Sequence, residues 1–219
     1  MKRKLTNYLG LLGIVSLLSY TAAVIISPLA YPDYHWLSQA VSDLSANAAP
    51  SGTLWNQLSA LYMPCGIVCC TVSCIAVMGK YNKALRLGIY LFALMNWVTA
   101  VGYTMFPLTD AGTPEGFQNI MHMVVTGTVV ALSIPALVLM MCGGYFQRQC
   151  RSLGIWAGIA LFLMILGALG VNLLPSAYFG LAERFSTFAA VGFNAVLGIY
   201  LYNDFSGKIT RKTHDENSS

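Results

Sequence analysis

Six stretches of almost uninterrupted apolar sequence, at about 7–30, 54–79, 85–107, 116–143, 153–174 and 182–203, alternate with short polar segments. Each is long enough to cross the roughly 30 Å hydrocarbon core of a bilayer, which takes about 20 apolar residues wound as a helix. Without water in that layer, a lone spanning segment satisfies its backbone groups only as a helix. The pattern therefore predicts an all-α fold, a polytopic bundle of six transmembrane helices in one domain over 1–203, with a polar tail at 204–219. The first run follows Met1-Lys2-Arg3-Lys4 as a secretory signal would, but it exceeds the roughly 7–15-residue apolar region of such a signal. It is read as a retained span.

The breaks in the pattern carry further expectations. After the first span, Ser38, Ser42 and Ser45 recur at helical spacing, which predicts a short interfacial helix with three hydroxyls on one face. Tyr31, Tyr34 and Trp36 suit the headgroup level. Pro50-Ser51-Gly52-Thr53 reads as a turn with Thr53 as N-cap of the second span. Pro64 and Pro135 are expected to kink their helices, with neighbouring groups taking up the freed carbonyls. Gly154 with Gly158, and Gly167 with Gly170, are small-residue pairs that let helices pack closely in lipid.

Composition and charge give the bundle an orientation. Hydrophobic residues make up 57% of the 219 and charged residues 9%, against about a quarter charged in a soluble domain, so no separate soluble domain is expected. Lys2, Arg3, Lys4, Lys80, Lys83, Arg86, Arg148, Arg151, Lys208, Arg211 and Lys212 all fall on one side of a six-span chain, and Arg184 alone falls on the other. The positive-inside rule then predicts a multi-pass protein of the cell membrane (the inner membrane, where there are two) with both termini cytoplasmic. The same dispersal accounts for the net charge of +4 without a nucleic-acid partner. The six cysteines form no disulfide framework and are read as buried, reduced and structural.

The outer side collects the remaining ionisable groups: Asp33, His35, Asp43, Asp110, Glu115, His122, Glu183 and Arg184. Such groups at membrane depth usually face a cavity or one another. Glu115, Gln118, His122 and Thr126 recur at steps of three and four, forming a polar stripe on the fourth span. The candidate catalytic groups are His122, as acid or base, with Asp43 and Asp110. The candidate ligand-binding groups are Arg184, paired with Asp43 or Asp110 or clamping a lipid phosphate or carboxylate, and Glu183, Ser38 and Ser42. Each also has a plain alternative: a capping carboxylate, a histidine bonded across helices, hydroxyls on local backbone. No GxSxG elbow, phosphate-binding loop or HExxH motif is present. No metal site or cofactor is predicted; zinc on His35, His122 and Asp43 or Asp110 is a possibility that no spacing demands.

On Leu37-Ser38-Gln39-Ala40-Val41-Ser42-Asp43-Leu44-Ser45-Ala46, on Phe106-Pro107 with Asp110 and His122, and on Glu183-Arg184 opening the last span, the chain resembles the domain-of-unknown-function family 998. The resemblance covers nearly the whole chain and implies a six-span membrane protein, without implying a reaction. Three readings follow. One is a protein binding or processing a lipid or lipid-linked molecule at an outer polar site, with membrane lipids as its partners. The second is a small transporter or sensor, for which only Asn96, Asn172 and Asn194 would continue a polar path inward. The third is a structural or accessory subunit.

Overall fold

The computed structural model describes residues 3–109 and 115–205; Asp110 and the tail after Phe205 lie outside them. Among the described residues all regular structure is helical, and six segments are long and apolar enough to cross a membrane. They are Leu5–Ala30, Gly52–Val77, Lys83–Met105, Phe117–Tyr145, Arg148–Leu173 and Ser176–Tyr202. The first span contains α1 (Leu5–Tyr8), α2 (Leu11–Ile26) and a closing 3-10 turn. The second contains α3 (Gly52–Leu58) and α4 (Tyr62–Val77). The others are α5 (Lys83–Met105), α6 (Phe117–Tyr145), α7 (Arg151–Leu173) and α8 (Phe179–Tyr202).

Local chemistry sets the boundaries. Ser51 rather than Thr53 is the N-cap of the second span, two residues earlier than expected. The Asn82 side chain accepts the Leu85 amide at 2.8 Å and opens α5, and Phe106-Pro107 closes it. The short helix expected after the first span is a single 3-10 turn, Ser42–Ser45, which leaves Ser38 in the chain before it. Pro135 lies inside α6, which runs on through it.

Pro64 has a larger effect. It stands in the first turn of α4, where a missing N–H is tolerated but a helix cannot run in from above. The span is consequently broken at Ser59–Leu61. Two serines of α2 face the break: Ser19 donates to the Leu58 carbonyl at 2.6 Å and Ser16 to the Tyr62 carbonyl at 2.7 Å. An irregular backbone persists at membrane depth only with such partners inside the protein.

Consecutive spans are neighbours, and α8 closes the bundle by packing on α2 and α4 as well as α7. Its contact with α2 is backbone to backbone, since a Cβ on Gly10 would strike the Gly198 carbonyl and one on Gly198 the Gly10 carbonyl. The glycines singled out in α7 behave alike: Gly154 lies against the α6 backbone at Tyr145 and Met141, and Gly167 against Ala182 and Ser186 of α8.

Polar atoms cross-link the middle of the bundle. Asn194 of α8 donates to Asn96 Oδ1 of α5 at 3.1 Å and accepts from the Cys70 thiol of α4 at 3.2 Å. Asn96 in turn donates to the Phe92 carbonyl at 2.9 Å. Towards the basic loops the interior is apolar, built on Leu85, Ile89, Phe92, Leu137, Met140, Leu153, Leu197 and Leu201. Towards the opposite end a smaller cluster joins Tyr20, Val24, Val41 and Val191 to Trp55, Tyr62 and Phe188. All six cysteines are free; Cys142 is exposed and the others are partly or fully buried.

Replacing Asn194 with leucine leaves Asn96 Oδ1 without its partner and is expected to lower stability by about 1–2 kcal/mol. Thermal unfolding in detergent should shift down by roughly 2–6 °C. Asn96→Ala combined with Asn194→Leu should shift it by less than the sum of the two single changes, because both remove the same bond.

Candidate functional site

The face opposite the basic loops is covered by the segment joining the first two spans, and α8 fastens that cover. Arg184 Nη1 donates to the carbonyls of Trp36 (2.7 Å), Gln39 (3.1 Å) and Gly180 (2.7 Å). Its Nη2 donates to the Tyr34 hydroxyl at 2.6 Å, and that hydroxyl donates onward to the Ala40 carbonyl at 2.8 Å. One turn of helix and seven residues of loop are thereby held by a single guanidinium. Only a planar cation with several donors does this, which is why the sole basic residue on this side is an arginine.

Glu183, the preceding residue, accepts the Val41 amide at 2.6 Å, and Asp43 Oδ2 accepts the Ala40 amide at 3.0 Å. The Leu181 amide adds a backbone bond to the Leu37 carbonyl at 3.0 Å. Close approach is possible because residue 180 is glycine: a Cβ there would overlap the Gln39 carbonyl oxygen. Asp43, Glu183 and Arg184 thus converge on one segment, as the sequence suggested. Their geometric role differs from the expected one. Arg184 directs its hydrogen bonds to carbonyls and to Tyr34, and Asp110 lies outside the described residues.

Burial pushes the Tyr34 hydroxyl up to about 12, against the opposing pull of the Arg184 guanidinium. Ser42 and Ser45 share the 3-10 turn, where Ser45 bonds the Ser42 carbonyl at 2.9 Å, while Ser38 reaches only the His35 carbonyl at 3.4 Å. These hydroxyls serve local backbone, the plainer of the two readings.

His122 is buried, 7% exposed, and Nδ1 lies 2.9 Å from the Phe106 carbonyl, so Nδ1 carries the proton and donates. Its ring stacks on Tyr103 with centroids 4.8 Å apart. Tyr103 bonds Thr126 through its hydroxyl at 3.0 Å, completing a patch that ties α5 to α6. Asn119, between Glu115 and His122, accepts from both the amide (3.0 Å) and hydroxyl (2.8 Å) of Thr109 and anchors the end of the second outer segment. Asn47 and Ala48 donate to the Leu108 and Thr109 carbonyls, joining the cover to the segment after α5.

Beneath the cover lies a group of aromatic side chains around Tyr20. Tyr20 packs on Tyr62, Trp55 and Phe188 at 4.8, 6.0 and 5.5 Å between ring centroids. His35 is exposed in the loop, apart from this interior. Among the described residues no three His, Cys, Asp or Glu side chains gather in a metal-binding group.

Sequence reasoning placed Tyr34 in an aromatic belt and passed over Tyr103, Asn119 and the tyrosines beneath the cover. A signal existed for Asn119, four residues after Glu115 and three before His122, on the polar stripe itself. None pointed to Tyr34, whose partner lies 150 positions away.

A six-helix membrane bundle with a cover fastened over one end is the class of protein that these features define. Residues 14–200 match the model of the family described as Protein of unknown function (DUF998), and the chain belongs to that family. No curated protein and no solved structure matches the chain.

Arg184→Ala leaves three carbonyls and a phenol without a shared donor and should destabilise the cover by about 2 kcal/mol. Hydrogen exchange should then accelerate at the Val41 and Leu181 amides, with amides in α7 unaffected. Arg184→Lys should recover less than half of that protection, since a lysine cannot span the same acceptors. The raised Tyr34 value carries a sign. The neutral hydroxyl is the form the fold favours, so its contribution is complete below the free tyrosine range near 10 and is lost as pH rises through 10 to about 12. Protection of the 36–41 amides should fall in that alkaline window, and Tyr34→Phe should remove the pH dependence.

Proposed function

We propose that this membrane protein binds, without transforming it, a lipid or lipid-linked molecule at the outer leaflet, beneath the cover formed by residues 31–51. The observation that carries this reading is the unequal interior of the bundle. On the covered side Tyr20, Tyr62, Tyr103, His122 and Glu183 give hydroxyl, imidazole and carboxylate groups set among aromatic faces. Beyond the Asn96–Asn194 link the interior is apolar. A molecule entering from the outer side therefore meets polar groups over half the membrane and a dry core over the other half.

That gradient supports binding over transport, because a transport path needs polar groups on both sides of its midpoint. Asn172, the remaining candidate for such a path, is exposed on α7 and donates to the Ala168 carbonyl one turn back. Charge narrows the ligand. Arg184 directs its donors to the protein's own carbonyls, and the other outer ionisable groups include Asp33, Asp43, Glu115 and Glu183. A head bearing hydroxyl or amine groups suits this surroundings better than a phosphate would. A structural or accessory role is the second reading, favoured by one observation: Asp43, Glu183 and His122 each bond a backbone atom.

Native mass spectrometry of protein purified from membranes separates the two. The binding reading expects one amphiphile retained out of proportion to its abundance. Glu183→Gln keeps the shape and the Val41 acceptor but removes the charge, and His122→Ala opens the patch. Each should lower retention roughly tenfold while the protein stays folded. Retained lipid that mirrors the bulk membrane, unchanged in both variants, would leave the structural role standing.

A further inference from the structure

A second feature lies at the other end of the bundle, on the face that carries the basic loops. A groove of about 740 Å³ opens there between the α4–α5 loop and the end of α6, lined by Lys80, Tyr81, Asn82, Cys142, Phe146 and Arg148 among others. We propose that this groove binds the headgroup of an anionic phospholipid of the inner leaflet, with the acyl chains lying along Phe146 and the exposed end of α6.

The floor is built. Asn82, while capping α5, donates to the Gly143 carbonyl at 2.7 Å and to Gln147 Oε1 at 3.0 Å, and its amide also reaches Gln147 Oε1 at 3.2 Å. These bonds fix the two loops relative to one another. Gly79, at φ +72°, turns the chain immediately before Lys80. The rim then carries two exposed cations, Lys80 and Arg148, from loops 68 positions apart in sequence (148 − 80), on either side of a mostly apolar wall.

Phe146, 84% exposed, lines the groove, and an exposed aromatic at the end of a span suits the headgroup level. Basic pockets between spans, flanked by aromatic side chains, match a phosphodiester with two apolar tails. Topology alone asks for positive charge in these loops. It does not ask for charges from two loops around one groove, an ordered polar floor and an exposed phenylalanine at the rim.

The test uses the full chain in detergent. Native mass spectrometry is run with added phosphatidylglycerol, phosphatidylcholine or inorganic phosphate as probes. The wild type should retain phosphatidylglycerol over phosphatidylcholine. Lys80→Gln with Arg148→Gln should lower that retention roughly tenfold or more. Arg3→Gln with Lys4→Gln removes the same charge from the same face, away from the groove, and should leave retention unchanged. Phe146→Ala, which alters no charge, should lower it severalfold. Equal losses in the two double variants would reduce the effect to general surface charge and overturn the proposal. Equal retention of the two phospholipids would overturn it too. Displacement by millimolar inorganic phosphate would make the groove a site for the free anion instead of a lipid. None of these outcomes depends on what the outer end binds.

Discussion

Every backbone N–H and C=O that leaves its helix within the hydrocarbon must find a partner inside the protein, and this fold is arranged around the place where that demand is hardest to meet. Pro64 breaks the second span at Ser59–Leu61, and the carbonyls flanking the break, Leu58 and Tyr62, receive Ser19 and Ser16. For those hydroxyls to reach, α2 must lie close along the break. Gly66 allows that approach from its side, since a Cβ there would crowd Ser16, Asn194 and Asn96 together. The first, second, third and sixth spans are thus registered by one small group of polar atoms. Apolar packing in lipid is nearly indifferent to sliding and rotation, and the directional bonds supply the register.

From that centre the two directions diverge. Towards the basic loops, aliphatic, sulfur-containing and phenylalanine side chains fill the interior. Towards the cover, Tyr20 and Tyr62 sit among valines and other aromatic side chains and present both an aromatic face and a hydroxyl. The cover closes over that half through residues on α8 whose bonds run to the loop's own backbone. Arg184, alone on its side of the chain, is therefore a fastener before it is anything else. Its charge is compatible with the setting because it is surrounded by carbonyl dipoles and lies near Glu183.

The span pattern was legible in the sequence because length and hydropathy follow directly from the thickness of a bilayer. The convergence of Asp43, Glu183 and Arg184 was legible as well, since the orientation rule isolates them on one side. What they hold was not. Hydrogen bonds from side chain to backbone leave no mark on residue type, so Trp36 and Gln39 carry no sign that their carbonyls receive Arg184. The spacing of Ser38, Ser42 and Ser45 suggested a longer helix, but a segment tied to another span at Leu37, Gln39 and Val41 adopts whatever path those ties impose. The proline break was foreseen as a bend; its serine partners, some 40 residues upstream, were not.

The contact between Gly10 and Gly198 joins the two extremes of the chain. A ribosome delivers the first of these long before the second, so α2 enters the membrane with its principal partner, α8, still unmade. Until then the serines facing the broken span and the glycine face of α2 have only part of their final surroundings. Of the six spans, the last to be made is therefore the one that locks the first.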